Sequence, residues 1–264
     1  MGLLKHRWFQ IFLSGFVLLY LAERVFVYTR DLVFLPSIIL LGSFLVPVAF
    51  VAYLYERLPD WEVPLPPLVV CFLWGGVLGT AIAGTLEYRT FATLSLLLLA
   101  GAGLIEEAAK LIFPLIYYFL GRYRSEADGI ILGVSAAMGF AAIETMGYAL
   151  VTFLQSRQDL ATLEYVLLLR GLASPTGHAA WTGLVCAVLF RERLRAGSAV
   201  LSWRIVGAFA TAVLLHALWN VFNSLSGSAT ANFLSVVLST GVALVSLTLL
   251  VLRVREAIRA IPTE

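Results

Sequence analysis

LAGAGLIEEAAKLIFPL, residues 99–115, is an apolar helix with three charges, Glu106, Glu107 and Lys110, in its middle. A charge at bilayer depth is disfavoured by roughly 2.5–3.5 kcal/mol on insertion scales, so three in one hydrophobic segment mark a candidate site. At 100° per residue, Glu106 and Lys110 lie one turn apart on one face and are predicted to pair, while Glu107 points to an adjacent face. A second, independent group must then receive Glu107.

The rest of the chain is the setting such a helix needs. Of 264 residues, 61% are hydrophobic and 13% charged, the mean hydropathy is +0.93, and several apolar runs approach bilayer-spanning length. This is the composition of a polytopic membrane protein, an all-α helical bundle embedded in lipid. Eight spans are predicted, at 8–28, 32–55, 67–86, 91–119, 127–153, 172–191, 204–225 and 231–253. They make one membrane-embedded domain over 1–264, with the motif-bearing core at about 91–225. The opening MGLLKHRWFQIFLSGFVLLYLAERVF has the basic start of a signal peptide but no A-x-A-like cleavage site, and reads as an uncleaved first span. ERLPDWEVPLPP, with four prolines and four charges, reads as a stiff turn between the second and third spans. The stretch 154–171 reads as a polar external loop. Gly75, Gly79 and Ala83, spaced i, i+4, i+8 in span three, predict a close helix contact.

Lysine and arginine counts set the expected orientation. Twelve (Lys5, Arg7, Arg57, Arg122, Arg124, Arg191, Arg193, Arg195, Arg204, Arg253, Arg255 and Arg259) fall on one face, and five (Arg24, Arg30, Arg89, Arg157 and Arg170) on the other. The bias puts both termini in the cytoplasm of a cell-membrane protein. These basic residues lie in short loops and at the ends and form no single patch, which argues against nucleic-acid binding. Cys71 and Cys186, each inside an apolar run, read as small core residues.

Further intramembrane polar groups follow in order. Span four meets Pro114, which predicts a kink. Span five carries Phe140, Glu144 and Tyr148 at i, i+4, i+8; Glu144 has no cation within one turn, so its partner must come from another helix, a metal or a proton. SPTGHAAW marks a helix start or break just before His178, tolerable where backbone lines a wet cavity. Span seven places His216 and Asn220 one turn apart, and span eight reads as scaffold. Counting at about 1.5 Å per residue puts His178, Glu144 and His216 roughly 9–14 Å below the outer boundary. Glu106 falls deeper, at ~20 Å, unless tilt or a later helix start lifts it.

Two imidazoles and a carboxylate, His178, His216 and Glu144, form a set suited to a catalytic zinc ion, with Glu106 or Glu107 as general base. In a metal-free version a buried glutamate deprotonates water directly, and histidine and Asn220 donors hold the oxyanion. Lys110 would neutralise one carboxylate. Taken singly, each group has a blander reading: a structural ion pair, a helix-start histidine, an interhelical hydrogen bond of ~0.6 kcal/mol. Phe140, Tyr148, Trp181 and Trp219 read as packing or interface aromatics, and the RERLR arginines as positive-inside markers.

The ordered set E-E-x-x-K at 106–110, F-x-x-x-E at 140–144, His178 and H-x-x-x-N at 216–220 resembles the PrsW family of intramembrane proteases. That family is related to the type II CAAX prenyl proteases and their bacterial ABI relatives, whose pattern is E-E-x-x-x-R, F-x-x-x-H, a further His and H-x-x-x-N. Lys110 at its shorter spacing and Glu144 in place of His are what set the PrsW branch apart. The resemblance implies an endopeptidase making the first cut in a single-pass, membrane-anchored protein of anti-sigma-factor type, on the extracytoplasmic side. The rival reading is a proton-coupled transporter or channel using the same groups as a relay. Against it, the motif placement holds no inverted repeat.

Overall fold

The structure, a computed structural model, describes residues 2–58, 62–91 and 97–259; the centre of the proline-rich turn (59–61) and the start of the fourth expected span (92–96) lie outside them. The described residues are helical and contain no strand. The helices are α1 (Arg7–Thr29), α2 (Leu35–Arg57), α3 (Leu65–Phe91), α4 (Leu97–Lys110), α5 (Ile112–Leu120), α6 (Glu126–Gln155), α7 (Leu160–Ala173), α8 (Ala180–Ala196), α9 (Trp203–Asn223) and α10 (Ala229–Arg259). Among the described residues α1, α2, α3, α6, α9 and α10 are each long and apolar enough to cross a membrane, six where eight spans were expected. The fourth and sixth expected spans are instead assembled from shorter pieces.

The fourth is divided at Leu111. Pro114 has no N–H to offer the Lys110 carbonyl, so the helix stops there and restarts. Leu111 N–H turns back to the Ala108 carbonyl at 3.3 Å, and Leu115 N–H opens α5 by bonding the Leu111 carbonyl at 2.8 Å. The break thus falls three residues before the proline, at the C-terminal end of the charged motif. The sixth expected span begins with a π-helical turn, Pro175–Ala179, that runs into α8. Much of the expected 154–171 loop is α7, whose start is capped by Asp159 accepting from Thr162 N–H at 2.9 Å.

Contacts divide the chain into two compact units. The first combines residues 2–57 with 141–175, holding α1, α2, the second half of α6 and α7. Its core is Phe26, Ile38, Ile39, Ala149, Phe153, Leu163 and Leu167, all buried. Gly42 lets α7 approach α2, because a Cβ there would lie 2.7 Å from a Leu167 methyl.

The second unit combines residues 58–140 with 176–259. Its centre is the first half of α6, where Ile130, Ile131, Leu132, Val134, Ala136, Ala137 and Met138 are fully buried. The small-residue stripe of α3 packs on it as expected: a Cβ on Gly75 would meet Ala136 Cβ at 3.2 Å, and one on Gly79 the Phe140 ring at 3.0 Å. At the crossing point a methyl on Gly139 would collide with the Phe72 carbonyl oxygen. Backbone cannot yield as a side-chain tip does, so Gly139→Ala is expected to push α3 from α6 and cost about 1–3 kcal/mol. Thermal unfolding of the purified protein in detergent checks this, and an unchanged midpoint would refute it.

The RERLR segment does more than mark a membrane side. Buried Glu192 takes Arg195 Nη1 at 3.0 Å on one oxygen and Arg204 Nη1 at 3.2 Å on the other. The loop between α8 and α9 is tied to α5 by the Tyr118 hydroxyl, which donates to the Val200 carbonyl at 2.9 Å and accepts from Val200 N–H at 2.8 Å.

Candidate active site

Helix α4 delivers Glu106, Glu107 and Lys110 into the interior of the second unit, 8%, 1% and 0% exposed. Three ionisable groups this dry must satisfy one another. Lys110 Nζ reaches both acids, Glu107 Oε1 at 2.7 Å and Glu106 Oε2 at 3.2 Å. The expected one-face pairing of Glu106 with Lys110 is therefore shared, and the shorter bond goes to Glu107. The ammonium also lies 4.4 Å from the centre of the Phe140 ring, a cation–π contact that gives this aromatic a role beyond packing.

Glu107 is received by other helices as its direction required. Thr182 of α8 donates its hydroxyl to Oε2 at 2.9 Å, and His216 of α9 brings Nδ1 to 2.9 Å from Oε1. A carboxylate only accepts, so Nδ1 carries the hydrogen of this pair, and Nε2 is the ring's second nitrogen. That nitrogen faces Glu106, with Oε2 at 3.6 Å. The deeper position expected for Glu106 is thus overcome, and both glutamates lie at the level of His216.

His178, in the π-helical turn, sets its ring centre 5.7 Å from that of His216 and 5.9 Å from that of Phe140. Pi-type turns inside helices recur at functional sites, and here the wide turn begins at Pro175, which cannot donate a backbone hydrogen bond. Asn220, half-buried, occupies the next turn of α9 on the face of His216. Glu106, Glu107, Lys110, His178 and His216 therefore converge in one unit.

Glu144 belongs to the first unit. Its cation comes from another helix: Arg170 Nη2 of α7 lies 2.7 Å from Glu144 Oε2, with the guanidinium 4.1 Å from the Tyr148 ring centre and Nε 3.3 Å from Thr145 Oγ1. The repeat of Phe140, Glu144 and Tyr148 along one face of α6 is thus divided, Phe140 serving Lys110 and the other two meeting Arg170. Arg170, counted from sequence as a loop charge, is in α7.

Three residues that sequence reasoning passed over complete the site. Thr182 stands one turn after His178, a spacing that puts both on one helix face and was the available signal. Trp181, read as a packing aromatic, lies flat against His216, ring centres 4.4 Å apart and planes 22° from parallel. Ser246 of α10 accepts the Trp181 indole N–H at 2.9 Å, so the last span is more than scaffold.

Within this unit the ligand atoms of Glu106 and His178 lie within 4.8 Å of one another, and the imidazoles of His178 and His216 are donors of the type a zinc-type ion takes, with Nδ1 of His216 hydrogen-bonded to Glu107. A carboxylate behind a ligating histidine is the arrangement that fixes its tautomer and raises its basicity. A family model described as PrsW family intramembrane metalloprotease matches residues 63–251. Comparison with curated proteins and with solved structures gives no match.

Proposed function

The chain belongs to the PrsW family of intramembrane metalloproteases, and on that premise we propose that it cuts a peptide bond of a single-pass membrane-anchored protein, of anti-sigma-factor type, with water activated at Glu106. The observation that carries this reading is the chain Lys110, Glu107, His216, Glu106. Lys110 and Thr182 hold Glu107, Glu107 orients His216 through Nδ1, and Nε2 is thereby aimed at Glu106 Oε2.

The two glutamates divide the work. Glu107 spends its oxygens on Lys110, His216 and Thr182, which suits it to positioning. Glu106 Oε2 meets Lys110 and His216, whereas no hydrogen bond reaches Oε1 among the described residues. Glu106 Oε1 can accept a proton from water as the water oxygen adds to the scissile carbonyl carbon. It returns that proton to the amide nitrogen when the C–N bond breaks, so the site ends as it began. Asn220 supplies a neutral N–H donor for the transient oxyanion. His178 and His216 are the imidazoles that would hold a zinc-type ion, leaving Glu106 as the base, and such an ion when bound would supply Lewis-acid charge to the reacting oxygens.

By the distribution of basic residues, both termini are cytoplasmic and the cut falls toward the extracytoplasmic half of the cell membrane. The test is cleavage, in proteoliposomes, of a single-pass peptide bearing a quenched fluorophore pair across its outer boundary. The purified wild type is expected to cut it and to carry close to one zinc-type ion per chain by elemental analysis, with the ion lost in His216→Ala. Proton flux in liposomes from a protein unable to cut any such peptide would support the transporter instead.

A further inference from the structure

Trp181 contacts both imidazoles of the site with one ring. It stacks on His216 and meets His178 edge-on at 5.6 Å and 61°. It is 1% exposed, among the largest fully buried side chains of the described residues, and its single polar atom donates to Ser246 Oγ of α10. Gly177 makes the room: a Cβ there would lie 3.2 Å from the outer edge of the indole. The indole is thus gripped at its edge, at its nitrogen and across its face.

We infer that Trp181, locked by Ser246, is a positioning residue that holds the His216 imidazole in the one ring orientation joining Glu107 to Glu106. The inference rests on the proteolytic reading above and names what keeps its central histidine in register. A hydrogen bond at Nδ1 fixes one point of the ring but leaves it free to swing about the Cβ–Cγ bond. Such a swing carries Nε2 away from Glu106, and a parallel indole 4.4 Å away blocks it because the imidazole edge would enter the indole face. An aliphatic side chain of similar volume would fill the space without presenting a flat wall. The hydroxyl of Ser246 matters in turn because an indole free to tilt is no wall either. Catalytic geometry tolerates little error, since misplacement by about 1 Å costs around a hundredfold.

The test uses the full-length protein in lipid nanodiscs, with two readouts. The first is the rate on the quenched single-pass peptide described above. Trp181→Leu is expected to lower kcat about thirtyfold and Ser246→Ala about fivefold, both with KM unchanged, while Ser246→Thr keeps the hydroxyl and restores the wild-type rate. The second readout needs no substrate. In protein labelled with 15N-histidine, the His216 Nδ1 proton, assigned by its loss in His216→Asn, is expected to exchange with water at least tenfold faster in Ser246→Ala and Trp181→Leu. Wild-type kcat and exchange in both variants would overturn the inference and leave Trp181 as packing. If the wild type fails to cut the peptide, the proteolytic reading is what fails, and the exchange rates still decide whether Trp181 holds the ring. Should Trp181→Leu not fold, Ser246→Ala and Ser246→Thr carry both comparisons.

Discussion

Glu106→Gln is expected to slow cleavage of the single-pass peptide about 10³-fold, within the range general-base removal produces. The protein should still insert and melt close to the wild type. The substitution keeps size and shape at a position 8% exposed, and the side-chain carbonyl can still accept from Lys110. What it removes is the ability to take a proton at Oε1. Glu107→Gln spells the same change one residue later yet is expected to behave differently. Three donors converge on Glu107, and an amide cannot satisfy them all, so stability falls along with rate. The measurements are initial rates in proteoliposomes and unfolding midpoints for both variants side by side. A Glu106→Gln protein keeping more than a tenth of the wild-type rate would move the base elsewhere, and Glu107 would be the first candidate.

That distinction between adjacent glutamates is where sequence reading ran out. The spacing of Glu106, Glu107 and Lys110 dictated which pair shares a face and that Glu107 needed an outside partner, since helix geometry alone decides both. Which of the two acids ends up saturated depends on Thr182 and His216 arriving from α8 and α9, and no local rule carries that. The helix break at Leu111 was legible as a consequence of Pro114 but displaced toward the N-terminus, because a proline disturbs the carbonyl four residues before it. Helix α7 was missed because LATLEYVLLLR is short for a span and follows the polar run QSRQD, so its apolar face looked like part of a loop. Arg170 was misread for the same reason. Trp181 and Ser246 were invisible as functional residues for another: a tryptophan and a serine in apolar helices are ordinary packing residues until their partners are known. The close crossing of α3 on α6 was legible since small residues four apart have few other uses in a membrane helix.

Lys110→Met is expected to produce the largest loss of stability, about 3–5 kcal/mol, the cost of removing one partner from a buried ion pair. Methionine matches the length of the lysine stem and still covers Phe140, so packing changes little. What is lost is the positive charge lying 2.7 Å and 3.2 Å from two carboxylates in a site with almost no water. The acids can then coexist only by sharing a proton or by opening the site to solvent, and either loosens the hold of Glu107 on His216. Cleavage should fall with stability, unlike Glu106→Gln, where rate falls alone. Adding Glu107→Gln to Lys110→Met removes the excess negative charge. The double variant is therefore expected to be more stable than Lys110→Met, a non-additivity that double-mutant cycles detect directly. Lys110→Arg is expected to fail as a replacement, because a planar guanidinium has no room at a fully buried position capped by a ring 4.4 Å from the charge. If Lys110→Met melts with the wild type, the two carboxylates already share a proton in the native protein, and the ammonium serves the chemistry without holding the fold.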